Sequence, residues 1–276
     1  MKIQGNSACD RALPAERWPA LFTATRAAGF DTVVLQWTRH GEAFADAEGM
    51  DWLRERIEQA HSAGLHVVLG LHADPAFFNR LTQPPKALKG YLSALRAQDL
   101  ELARTWARTL QSDIISGWYL TLEIDDLHWR DSSRRRKLAH HLAIETRKLH
   151  SILPRPVYAT SFFTAQMPPD AYADMIRDLD AHGLRIWIQD GAGTGRLDAA
   201  GRAPYLALAA QCEATAMRGL IFEVFRQADS TEGQFHARPL PPSEMSAALR
   251  QRAPCGGDSV FFSLRYLPST EGKLAY

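Results

Sequence analysis

Eight times along this chain a short apolar run rich in β-branched and aromatic residues gives way to a stretch with helical spacing. The runs are Asp31 to Thr38, His66 to His72, Gly117 to Asp126, Val157 to Phe162, Arg185 to Asp190, Gly219 to Phe225 and Asp258 to Leu264. Lys2 to Asn6 makes a short first one. The runs are continuous rather than alternating. That suits strands covered on both faces, and covered strands separated by helices build a parallel sheet. Helices are expected from Pro14 to Ala28, Asp51 to Ala63, Tyr91 to Leu110, Ser132 or Ser133 to Leu149, Pro168 to Gly183, Pro204 to Met217 and Pro242 to Arg252.

Eight strand–helix units in 276 residues is the arithmetic of an α/β fold of one kind, a single (β/α)8 TIM barrel. No linker or composition break divides residues 1–276, so one domain is expected. An open doubly wound sheet is the alternative. It would usually carry a glycine-rich phosphate loop after its first strand, and Ser7-Ala8-Cys9-Asp10 is not one.

The net charge of +1 argues against nucleic acid, whose binders carry a basic face. The basic run Arg134-Arg135-Arg136-Lys137 follows Asp131 and reads as a solvated helix start. No apolar run is long enough to span a membrane. Met1-Lys2 leads straight into Ile3-Gln4-Gly5-Asn6, which is no signal peptide; the reading is a cytoplasmic chain, or a periplasmic or secreted one whose leader has been removed. Cys9, Cys212 and Cys255 form no CxxC pair, and buried thiols are expected, at least one of them unpaired or bonded between chains. The oligomeric state is not encoded in any of these features.

In such a barrel the chemistry sits at the C-terminal ends of the strands. Those ends carry Gln36, Trp37, His72, Glu123, Asp125, Ser161, Gln189, Asp190, Glu223, Arg265 and Tyr266, while strand interiors are aliphatic. Side chains alternate along a strand, so an inward Glu123 puts Tyr119 and Thr121 inside and Leu120 and Leu122 against the helices. Glu223 likewise shares a face with Ile221. Two glutamates would then face one mouth, the arrangement that glycoside hydrolysis uses: one carboxyl donates a proton and the other attacks or activates water. The competing reading of Glu223 is an ion pair with Arg226 or Arg265.

Gln36 and Gln189 could bind sugar hydroxyls, and Trp37, Trp187 and Tyr266 could offer flat surfaces to pyranose rings. Alternation sends Gln36 and Trp37 opposite ways, so one of the two faces a helix. His72 could position an acid or contact substrate. Asp190 precedes Gly191-Ala192-Gly193-Thr194-Gly195, which lacks the lysine of a P-loop and reads better as a mobile loop over a pocket. His72, Asp74 and Asp125 lack the HxH or HExxH spacing that would support a metal site, so neither metal nor cofactor is expected, and a metal- or phosphate-dependent barrel enzyme stands as a third reading.

Four segments carry a resemblance that runs over nearly the whole chain: Asp31-Thr-Val-Val-Leu-Gln-Trp-Thr38, Gly117-Trp-Tyr-Leu-Thr-Leu-Glu-Ile-Asp125, Ile186-Trp-Ile-Gln-Asp-Gly191 and the strand ending in Glu223. The chain resembles the bacterial domain-of-unknown-function family 4434, glycosidase-like TIM barrels related to the clan of retaining glycoside hydrolases. The resemblance implies Glu123 as acid/base and Glu223 as nucleophile; Gln36, Trp37, His72, Asp125, Gln189, Asp190 and Tyr266, read from the strand ends, are the residues expected to bind a carbohydrate substrate. One departure stands out. The clan usually has Asn before the fourth-strand glutamate, touching the sugar 2-hydroxyl, and this chain has Leu122. The rival expectation is therefore a non-catalytic carbohydrate-binding barrel associated with exopolysaccharide assembly.

Overall fold

The structure, a computed structural model, describes residues 1–5, 13–212, 216–228 and 236–270. Eight strands close into a barrel: β1 (Lys2–Gly5), β2 (Thr32–Leu35), β3 (His66–Gly70), β4 (Ile115–Asp125), β5 (Val157–Phe162), β6 (Leu184–Gln189), β7 (Met217–Glu223) and β8 (Asp258–Phe262). Every neighbouring pair is parallel, and β1 closes the ring between β8 and β2. Between the strands lie α1 (Trp18–Ala27), α2 (Ala47–Ser62), α3 (Pro85–Thr109), α4 (Ser132–Ile152), α5 (Pro169–Asp180), α6 (Ala199–Ala209) and α7 (Pro242–Leu249). Among the described residues no α-helix follows β8. After β8 the described chain makes two 3-10 turns, Leu264–Tyr266 and Pro268–Thr270.

The strands sort their side chains into two layers. Val34, Val68, Tyr119, Tyr158, Trp187, Ile221 and Val260 fill the barrel interior. Val33, Leu35, Val67, Leu69, Leu120, Leu122, Ile124 and Phe222 join the outer core beneath the helices. Both faces are buried, which is why the strands read as unbroken apolar runs.

Trp187 is the largest group in the interior. It is fully buried and stacks on Tyr158 at 4.4 Å and on Tyr119 at 6.1 Å between ring centroids. Its indole N–H donates to Asp258 at the base of β8, 3.0 Å away, and Asp258 also lies 3.4 Å from the Lys2 ammonium. Trp187 is thus part of the barrel's plug and offers no surface to a sugar. Gly70 fixes the seam between β2 and β3: a Cβ there would come within 2.3 Å of the Gln36 carbonyl oxygen.

Each start of α1 to α7 carries either an aspartate cap or a proline in its first turn. Asp131, rather than Ser132 or Ser133, caps α4 by accepting from the Arg134 N–H. Asp198 caps α6 through the Gly201 N–H, so the helix begins five residues before Pro204 and carries that proline inside. Pro85 opens α3, ahead of the expected Tyr91. Arg134 leaves the solvated basic run. Its guanidinium donates to the His128 and Leu81 carbonyls and lies over the Trp129 ring.

The expectation of buried thiols fails at two positions. Cys212 and Cys255 are exposed and joined in a disulfide across 43 residues of sequence. Cys9 and the Ser7-Ala8-Cys9-Asp10 stretch lie outside the described residues.

Between α3 and α4 the outer layer encloses a polar cluster. Asp99 and Glu145 are buried together beside His141, whose Nε2 is 2.9 Å from Glu145 and whose Nδ1 is 2.8 Å from the Arg96 guanidinium. Burial raises both carboxyls, and Glu145 beside it raises Asp99 further. Asp99 also accepts the His72 N–H at 2.8 Å, which ties the end of β3 to the helix layer.

Candidate active site

At the C-terminal ends of the strands the interior turns polar. Glu123 follows Tyr119 and Thr121 on the inward face of β4, as alternation requires, and it is partly open to solvent. Glu223 follows Ile221 inward on β7 and is only 5% exposed. One connection touches both carboxylates. Gln189, the last residue of β6, places its side-chain amide 3.4 Å from Glu123 Oε1. The Gly193 and Thr194 N–H groups, four and five residues on, donate to Glu223 Oε2 at 2.6 and 3.0 Å.

The glycine loop after Asp190 is therefore a clamp on Glu223 rather than a mobile cover. Gly193 makes the close approach possible: a Cβ would meet the Phe225 carbonyl oxygen at 2.8 Å and the Glu223 Cβ at 2.9 Å. Asp190 supports the clamp from behind. Its Oδ1 accepts the Ala192 N–H at 3.0 Å and the Glu223 N–H at 3.3 Å, and Arg202 donates to its backbone oxygen. Arg226 pairs with Glu244 at 2.9 Å, so it is not the partner of the Glu223 carboxylate.

Burial pushes the Glu223 carboxyl up to about 7, and the Asp190 charge adds to the push, while the Thr194 and Gly193 amides oppose it. Burial also raises Glu123. The Gln189 hydrogen bond and the Arg196 charge pull it back, and Asp125 adds to the rise. Both carboxyls are thus raised, Glu223 into the neutral range, and of the two glutamates Glu223 is the one with described backbone donors aimed at its charged form.

The other acids at the tip of β4 do different work. Asp125 is buried, accepts the Leu127 and His128 N–H groups at 3.1 and 2.6 Å, and meets His128 Nδ1 at 2.5 Å. Asp126 is fully buried and takes four donors from the loop after β5: the Thr164 N–H and hydroxyl, and the Gln166 and Met167 N–H groups. One acid in three is left facing the mouth.

Of the remaining candidates, Gln36 follows Val34 on the inward face, whereas Trp37 turns to the outer core against His40 and Phe44. His72 is buried at the end of β3, and Thr121 donates to its carbonyl. Burial lowers its pKa, and the Arg39 charge lowers it further. Tyr266 is buried in a 3-10 turn, 5.8 Å from the Phe225 ring. Asp74 accepts from the Tyr91 hydroxyl and the Ala76 N–H, and Asp125 is taken up by the turn that carries His128. His128 was passed over in the sequence. Its one signal there is the spacing Asp125-x-x-His128 just past a strand end.

The comparisons with known proteins agree with this architecture. The uncharacterized protein YbcH of Escherichia coli (strain K12) is 40% identical over 261 residues, 94% of this chain and 87% of that protein. Among solved structures, the sugar phosphate isomerase/epimerase of Parabacteroides distasonis superposes with a TM-score of 0.52 at 12% identity, covering 99% of this chain and 93% of that one. The family 1 β-glucosidase of Thermotoga maritima gives 0.51 at 13% identity, covering 93% and 78%. An isomerase and a glucosidase so distant in sequence share the fold with this chain, which leaves activity to be argued from the site. The sequence pattern of one family matches residues 3–271, and the chain belongs to that family, DUF4434, a domain of unknown function.

Proposed function

We propose that this chain is a retaining glycoside hydrolase acting on a bacterial poly- or oligosaccharide. The observation that carries the reading is the pair of inward glutamates on β4 and β7, both contacted by the connection that leaves β6. Glu223 is the nucleophile. Its Oε2 is held by two amides, which fixes the carboxylate and favours its ionised form. It attacks the anomeric carbon as the glycosidic C–O bond breaks, and Glu123 gives its proton to the departing oxygen. In the second step the Glu123 carboxylate takes a proton from water. The water oxygen attacks the same carbon, and Glu223 leaves as a carboxylate. Gln36 and Gln189 line the mouth as hydrogen-bonding groups. The exposed disulfide favours an oxidising compartment, outside the cytoplasm, as the site of action.

A glycoside carrying fluorine at carbon 2 slows the second step and traps the first intermediate. Mass spectrometry of the digested protein is expected to find the sugar on the peptide containing Glu223. A label on another residue, or none with a substrate that is turned over, rejects the assignment.

Acidity supplies a second check. Glu223 must be ionised to attack, and its pKa of about 7 lies above the ordinary glutamate value, so activity rises with pH through about 7 on the acid side. Asp190→Asn keeps an oxygen to accept from Ala192 and Glu223 and removes the charge that raises Glu223. The acid limb is expected to move to lower pH in that variant, as read from kcat/KM against pH. An unmoved limb would mean that another group sets it.

A second reading is favoured by Leu122, whose side chain is buried in the outer core and offers the mouth no hydrogen bond. In that reading the barrel binds glycan without turnover, as part of exopolysaccharide assembly. Binding with no release of reducing ends across a broad polysaccharide panel selects it.

A further inference from the structure

Among the described residues two large apolar side chains stand exposed, Phe78 at 40% and Leu127 at 42%. Both sit at the mouth end of the barrel. Phe78 lies on the short helix Phe77–Leu81 that follows β3, and Leu127 on the turn after β4. Phe78 is not alone there. Its ring centroid is 6.0 Å from the His128 ring and 6.2 Å from Phe162, the last residue of β5. Strand alternation puts Phe162 on the same face as Tyr158 and Thr160, which point inward. Three rings from three successive strand ends thus form one ledge beside Glu123.

His128 gives that ledge a polar edge. Asp125 is buried, and its Oδ2 takes the hydrogen of His128 Nδ1 at 2.5 Å, while its Oδ1 holds the backbone of the same turn. The ring is therefore fixed in one tautomer and one orientation. Its side chain remains 19% exposed, and Nε2 has no hydrogen-bond partner among the described residues. Fixed aromatic faces beside a fixed polar atom suit a ligand with an apolar face and a hydroxylated edge, which is the chemistry of a pyranose ring. A purely apolar partner would leave the histidine edge unsatisfied.

We propose that Phe78, Phe162 and His128 form a sugar-binding subsite for the leaving-group half of the substrate, with Asp125 as the residue that positions His128. Which half it takes rests on the hydrolase reading. The departing oxygen receives its proton from Glu123, and the ledge is built on β4, the strand that carries Glu123, and on its two neighbours β3 and β5, whereas Glu223 stands on β7. The ring bonded through that oxygen therefore extends onto the ledge. Leu127, on the same turn as His128, adds apolar cover at its outer edge.

The test uses the full chain with Phe78→Ala and His128→Ala, each checked for an unchanged melting temperature. Two substrates with the same glycosyl group are compared: an oligosaccharide, and the glycosyl fluoride, whose departing atom carries no ring. Each variant is expected to lose about tenfold more kcat/KM on the oligosaccharide than on the fluoride, the scale of one aromatic or polar contact to a ring. Equal losses on both, or no loss on either, overturn the subsite while the hydrolase reading stands. If the wild type cleaves neither substrate, the hydrolase reading falls, and calorimetric titration with an oligosaccharide panel decides the subsite separately. Weaker binding by both variants than by wild type keeps the ledge as a sugar site, whereas equal binding, or none by wild type, overturns it.

Discussion

Glu223→Gln is expected to leave a folded barrel with no glycosidase activity above background. Glutamine keeps an oxygen for the Gly193 and Thr194 amides, so the clamp remains, but it cannot form the covalent bond on which both steps depend. Glu123→Gln should behave differently. It removes proton donation, which contributes about 10²–10⁴-fold in rate, and the loss should shrink with a leaving group acidic enough to depart unaided. The two variants assayed on one oligosaccharide and one dinitrophenyl glycoside separate the roles. Equal activity of Glu223→Gln and wild type on either substrate would remove Glu223 from the mechanism, and with it the retaining reading.

The second large effect is on stability. Trp187→Ala is expected to cost about 3–5 kcal/mol, the range for deleting a large aromatic side chain from a packed core. The substitution empties the space between Tyr158 and Tyr119 and leaves Asp258 without its indole donor. For a chain of this size roughly 2–4 °C of melting temperature accompanies each kcal/mol, so a fall of about 10 °C should be seen by thermal unfolding. Trp187→Phe keeps a ring in the stack and should fall less. A melting curve for Trp187→Ala that coincides with wild type would show that the stack does not hold the barrel interior.

Strand–helix alternation was legible because burial on both faces writes itself into each strand as an unbroken apolar run. The inward placement of Tyr119 and Ile221, the outward turn of Leu122 and the parting of Gln36 from Trp37 all follow from the two-residue period of a strand. What did not follow was the fate of each polar strand end. Asp125, Asp126 and Asp190 look like Glu123 in sequence, yet each satisfies backbone amides of a connecting loop. The distinction depends on where a neighbouring loop brings its N–H groups, and no local pattern encodes that. Trp187 was misread for a related reason: a ring near the end of β6 reaches down as easily as up, and here it meets Asp258 at the barrel floor. The polar pair Asp99 and Glu145 was also hidden, since it forms only when α3 and α4 lie side by side.

The disulfide has one more effect. Cys212 stands just before β7 and Cys255 just before β8, so the bond closes a hoop of chain that contains β7, its Glu223 and all of α7. Closing a loop of this length removes about 4 kcal/mol worth of freedom from the unfolded chain. The knot of the hoop lies at the floor of the barrel, opposite the mouth. A single protease cut anywhere inside it would leave both fragments tethered, and the severed piece bearing Glu223 would still have a route back to its place between β6 and β8.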